Sequence, residues 1–203
     1  MEKKLKLVEE TTAMLIADRI AGLDKEVFSE NPIKKIIILR MQPPSEAKRI
    51  AYIPEEEAVS NEPEHYVIHN YGLKKIIDQE CRKRVILLSE SERSKDFIKM
   101  TLEEVFIGIA AHEVRHRVQH LLPIEWFSPE HARTIDDPYF RRLIEFRRII
   151  FTSHPPEGNY QREFDAKVIE NLVVEKWHYG EKSHSRIAEL IKLEPKHLAK
   201  AEE

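Results

Sequence analysis

The sequence predicts an α+β fold in a single domain over residues 1–203, with a small mixed or antiparallel sheet packed on helices. Three observations predict it. Short β-branched runs gather in the first half of the chain. Long stretches with helical spacing fill the second half. Prolines and acidic clusters separate the two kinds of segment.

The elements follow in order. Residues 3–22 carry Leu5, Val8, Met14, Leu15, Ile16 and Ile20 among charges, as a helix does, and Gly22 is a natural end signal. Lys35 to Met41 contains Ile36-Ile37-Ile38-Leu39 and stops at Pro43-Pro44, which marks a short buried strand. Arg49 to Ile53 and His65 to His69 are further strands around an acidic loop with Glu55-Glu56-Glu57 and Pro63. Leu73 to Lys83 suits a short helix, and Arg84 to Leu88 a strand. Thr101-Leu102-Glu103-Glu104 is a capping box opening a helix that runs to about Leu121, before Pro123. Tyr139 to Phe151 is amphipathic and basic, Ser153 to Asn159 is a loop, Tyr160 to His178 is a helix, and Arg186 to Leu193 is a last short one. Residues 1–83 form an α/β part that suggests no role, and residues 84–180 hold the chemistry-bearing segments.

The composition is that of a globular protein, with 41% hydrophobic and 34% charged residues. A net charge of -3 gives no global pull toward nucleic acid or an anionic membrane. The basic set Arg141, Arg142, Arg147 and Arg148 reads as a solvated helix face paired with nearby acids. The longest apolar run, Val105 to Ala111, is far short of a membrane span, and the charged start is not a signal peptide. Cys81 is the only cysteine, so no disulfide forms within the chain, and a cytoplasmic setting is expected.

The chemistry concentrates in His112-Glu113-Val114-Arg115-His116. On a helix, His116 lies about 40° around and about 6 Å along from His112, so both imidazoles face one point. Two imidazoles so placed can enter a tetrahedral zinc shell. Glu113, at about 100°, sits beside such a metal, where a carboxylate can take a proton from metal-bound water. Ile107, Ala111, Val114, Val118 and Leu121 form an apolar face turned away from the histidines, while Val105, Phe106 and Ile109 fall on their side. A helix covered on both sides places the pair in a cleft.

Zinc in a catalytic site needs a third protein ligand. His120 follows His116 by four residues but lies about 12 Å along the axis from His112, too far to share one ion. Downstream candidates are Glu163, His131, Asp136 and Asp137.

The H-E-x-x-H helix followed by Glu163-Phe164-Asp165-Ala166 on a second helix resembles the gluzincin metallopeptidases. The local stretch is similar to that of CaaX-processing peptidases and of soluble phage-type anti-repressor peptidases. The resemblance implies a zincin-like fold, Glu163 as third zinc ligand, a small Ala166 where two helices meet, and hydrolysis of a peptide or protein substrate. It also implies that the strand before the metal helix, Arg84 to Leu88, binds extended substrate along its edge. Many members carry Asp directly after the alanine to orient the first histidine, and this chain has Lys167 there. Glu170, on the same helical face as Glu163, is a candidate for that task, whereas Asp165 points the other way. Tyr160 and His154 are candidates for stabilising a developing oxyanion. His178 and His184 are read as residues at helix ends. The alternative function is a regulatory or interaction protein that keeps the metal site without proteolysis.

Overall fold

The computed structural model describes residues 2–39, 51–52, 65–70, 72–82, 84–86, 97–122 and 160–193. Helix α1 spans Glu2–Val27 and buries Ala13, Ile16, Ile20, Leu23 and Val27. Their alternating three- and four-residue spacing draws one apolar stripe along it. Met14 and Leu15, expected among the apolar positions, instead stand 59% and 46% exposed. The helix does not stop at Gly22. A methyl group there would lie 3.3 Å from His184 Cε1, so this glycine makes room for a neighbouring helix.

Strands β1 (Lys35–Leu39), β2 (Ala51–Tyr52) and β3 (His65–His69) form one sheet in the order β1-β3-β2. β1 pairs with β3 in parallel and β2 pairs with β3 antiparallel. The sheet is therefore mixed, and the antiparallel alternative fails at its longer pair. The long connection between Leu39 and His65 permits a parallel return, which a hairpin could not. Burial of Tyr66, Val67 and Ile68 makes β3 the covered central strand.

Helix α2 (Leu73–Glu80) follows, with Gly72 in the left-handed region at its N-terminus. Strands β4 (Arg84–Ile86) and β5 (Phe97–Lys99) make a separate antiparallel pair. β5, not β4, directly precedes the next helix, α3 (Leu102–Gln119), and the sequence pattern did not reveal it. Helices α4 (Tyr160–His178) and α5 (His184–Ile191) complete the described elements, which are mostly helical.

Helix α3 is the centre of the packing, covered by α1 on one side and α4 on the other. Its capping box is formed: Thr101 N donates to Glu104 Oε2 at 2.6 Å, and Glu104 N donates to Thr101 Oγ1 at 3.3 Å. His178, at the end of α4, adds a contact of 2.8 Å to the other oxygen of Glu104. Burial of Val105, Phe106, Ile107, Ala110, Ala111, Val114 and Val118 spreads right around α3. Leu121, expected on the apolar face, is 60% exposed because the helix has already ended. Gly108 lets α4 come close: a methyl group on it would sit 2.9 Å from Val174 Cγ2 and 3.4 Å from Glu170 Cγ.

No helix among the described residues is long and apolar enough to cross a membrane.

Candidate metal centre

His112 and His116 lie one turn apart in the C-terminal half of α3, His116 in its last turn, and both are partly buried. Glu163 enters from the first turn of α4. His112 Nε2 and His116 Nε2 are 3.1 Å apart, and each lies 3.4 Å from an oxygen of Glu163. Bonds of about 2.1 Å in a tetrahedral shell set neighbouring ligand atoms about 3.4 Å apart. The contacts run to the two different oxygens of Glu163, so the carboxylate straddles the two rings, and one donor atom from each of the three residues lies within 4.8 Å of the others. Among the described residues this is the one group of three His, Cys, Asp or Glu donors close enough to hold a metal ion.

The far sides of both rings explain which nitrogen is offered. Gln119 Nε2 donates to Arg162 O at 2.8 Å and to Asp165 Oδ2 at 2.7 Å, so its Oε1 must be the atom 3.0 Å from His116 Nδ1. An oxygen there can only accept, which puts a hydrogen on Nδ1 of His116 and turns its Nε2 lone pair toward Glu163 and His112. For His112, Nδ1 lies 3.0 Å from Glu170 Oε2. That contact has the distance of an ion pair without the alignment of a full hydrogen bond. A carboxylate is again an acceptor, so here too Nε2 is the free nitrogen. Two bare lone pairs facing each other at 3.1 Å repel, and a cation, proton or metal, resolves the contact.

The electrostatics agree with that requirement. Burial opposes a charge on His112, yet the Glu163 and Glu170 carboxylates outweigh it and push its pKa up to about 10. Burial likewise opposes charge on Glu163, and the two histidines overcome it, holding this carboxyl well below the usual range. Glu170 is held at about 2, because the Lys167 ammonium and His112 outweigh its burial. Lys167 reaches both oxygens of Glu170, at 2.5 and 2.6 Å. Burial alone would lower its pKa, but Glu170, then Glu80 at the end of α2, then Glu163 raise it.

Lys167 therefore pairs with Glu170 and not with Glu163. Glu170 is thereby held beside His112, with Oε2 3.0 Å from Nδ1. Asp165 faces away from the three donors, as its helical angle predicts, and is 2.7 Å from buried Arg115. Ala166 is fully buried. Glu113 is half-buried beside His112, and its charge is felt by the phenol of Tyr66 on β3. His120 ends α3 as its C-cap and is not one of the three clustered donors; burial, then Arg162, then His116 lower its pKa. Tyr160 opens α4, but its side chain lies outside the described residues, as do His154, His131, Asp136, Asp137 and the basic segment 139–151. The side chains of β4 are outside them as well.

Two residues that the motif leaves as variable positions and flanks turn out to hold the helix in place. Arg115, fully buried, donates to both oxygens of Asp165 at 2.7 and 2.9 Å and to the carbonyls of Ile191 and Leu193, each at 2.7 Å. Arg117 donates from Nη1 to both oxygens of Asp24 at 2.7 and 2.8 Å and from Nη2 to Asn31 O at 2.7 Å. Its guanidinium lies 4.0 Å from the centre of the Phe28 ring. Asp24 also accepts from Ile33 N and Tyr66 Oη. An acid inside an otherwise apolar stripe, as Asp24 is between Leu23 and Val27, was the available signal for such a partner.

No family model matches the chain, and no curated protein or solved structure matches it either.

Proposed function

We propose that the protein is a zinc-dependent metallopeptidase-like hydrolase with a zincin-like fold, in which His112, His116 and Glu163 hold the ion. The observation that carries this reading is the convergence of two imidazole Nε2 atoms and one carboxylate at 3.1–3.4 Å. Two nitrogens and one oxygen make a donor set that suits zinc and leaves a fourth position for water. Acceptors behind both rings support it, since metal-bound histidines commonly hand their other N–H to a carboxylate or amide.

When bound, zinc would supply Lewis-acid activation of water and of a peptide carbonyl. Glu113 is the general base: its carboxylate takes the proton from the attacking water and delivers it to the departing amine. His112 and His116 cannot serve that purpose, because their Nε2 atoms would hold the ion while their Nδ1 atoms face the acceptors Glu170 and Gln119. Tyr160 and His154 are the candidates to donate to the developing oxyanion. The substrate is a peptide or protein met in solution, and the lone Cys81 supports a cytoplasmic location.

The test combines elemental analysis with peptide-library cleavage. One zinc per chain, cleavage in the wild type and a rate at least about a hundredfold lower in Glu113→Gln are expected. Cleavage by a metal-loaded Glu113→Gln protein at the wild-type rate would overturn the assigned base. Retained zinc without cleavage of any peptide would favour a regulatory or interaction protein built on the same centre.

A further inference from the structure

We propose that Arg115 is a positioning residue that sets the tautomer and orientation of His116 through Asp165 and Gln119, and that the C-terminal end of α5 belongs to the same construction. The proposal builds on the metal-centre reading but concerns bonds that exist without the ion.

The chain of contacts is continuous. Arg115 meets Asp165 with two parallel donors, a geometry that fixes the carboxylate in plane as well as in position. Asp165 Oδ2 then accepts from Gln119 Nε2. That bond, with the second one to Arg162 O, decides which end of the Gln119 amide faces His116. If Asp165 were displaced, the amide could turn over and present its NH2 to the ring. His116 Nδ1 would then become an acceptor, its hydrogen would move to Nε2, and the nitrogen facing Glu163 would no longer offer a lone pair.

Arg115 cannot drift toward solvent to avoid this role, because its side chain is fully enclosed. Its remaining hydrogen bonds end on Ile191 and Leu193, at the C-terminus of α5, where carbonyls lack partners within the helix. Seating of α5 and aim of His116 thus share one guanidinium. Asp165 lies 50 residues from Arg115 and Leu193 lies 78 away, so three separate helices meet at this point.

Three variants test the idea. Gln119→Leu removes the amide while keeping the volume. The pair Arg115→Met with Asp165→Leu replaces the buried ion pair by apolar groups, an exchange that folds tolerate. The pair Arg117→Met with Asp24→Leu is the control, since it deletes an equally buried ion pair whose other hydrogen bonds go to Asn31, Ile33 and Tyr66. Nitrogen NMR of the metal-free proteins, taken above pH 10 so that no proton sits between the two rings, reads which ring nitrogen of His116 carries the hydrogen, and chelator competition reads zinc affinity.

The first two variants should show a mixed or Nε2–H tautomer at His116 and a zinc Kd weaker by about tenfold or more. The double variant should also exchange the amides of residues 188–193 faster. The control should keep the wild-type tautomer and Kd. Retention of the Nδ1–H tautomer in both Gln119→Leu and the Arg115/Asp165 pair overturns the proposal. Failure of the wild type to bind zinc would sink the metal-centre reading instead, and the tautomer measurement would still decide this one.

Discussion

Lys167 grips both carboxylate oxygens of Glu170 and so aims that acid at Nδ1 of His112. One cation thus holds an acid beside a histidine of the proposed metal centre. Lys167 also offsets the second negative charge that Glu170 brings next to Glu163.

Glu170→Gln should weaken zinc binding about tenfold, because an amide is a poorer acceptor for the His112 N–H than a carboxylate. Chelator competition at fixed pH measures it. An unchanged Kd would show that His112 needs no acid behind it.

Zinc binding should tighten as pH rises, and metal-free stability should fall. His112 has its pKa raised from 6.5 to about 10, so its contribution to the metal-free fold is complete below 6.5 and is lost as pH climbs toward 10. Glu163 is lowered from 4.5, so its contribution is present above that value and is lost in acid. Without metal, these two groups favour the fold most between about pH 4.5 and 6.5. Zinc must displace the His112 proton, which strengthens apparent binding by up to about tenfold per pH unit from 6.5 to 9. Thermal stability across this range should fall with pH in chelator and stay nearly flat at saturating zinc, because the tighter binding cancels the lost contribution of His112. A pH-independent zinc affinity would contradict the proton's place between the rings.

Asp24→Ala should destabilise the metal-free protein by about 3–5 kcal/mol, since it strands the Arg117 guanidinium in a buried site. Ile33 N and Tyr66 Oη lose their acceptor in the same step. Urea unfolding measures the loss. A change below about 1 kcal/mol would mean that water reaches Arg117 readily.

Gly108→Ala sets two effects against each other. Alanine favours the helix by about 1 kcal/mol, while a methyl group 2.9 Å from Val174 Cγ2 overpacks the interface by about 1–3 kcal/mol. Val174 is fully buried and β-branched, so it yields little. Net destabilisation of about 1 kcal/mol and weaker zinc binding are expected, the latter because Glu170 is the other neighbour. A gain in melting temperature would show that α4 shifts at no cost.

The legible parts of this fold were those with their own internal period. α4 spans Tyr160–His178 and β3 spans His65–His69, as the sequence patterns predict to the residue. β5 has three residues, too few to display alternation. α1 runs past Gly22 because that glycine answers to His184 on another helix, information that no local window contains. The centre divides the same way. The facing of His112 and His116 follows from helix geometry, whereas Glu163 came from a resemblance and not from any spacing. Arg117 and Gln119 were invisible because their partners are distant in the chain, Asp24 being 93 residues from Arg117 and Asp165 being 46 from Gln119.

Arg115 and Arg117 bracket His116 and fasten α3 in opposite directions, to α4 and α5 on one side and to α1 on the other. The ligand scaffold is thus held together by bonds that do not pass through an ion. A small zinc-finger module gains its fold on loading and loses it on stripping. With zinc bound as proposed, this chain would belong to the other regime, in which assembly comes first and loading second. Its pocket should empty and refill reversibly, with the entropy of gathering the donors spent during folding and not at the moment of capture.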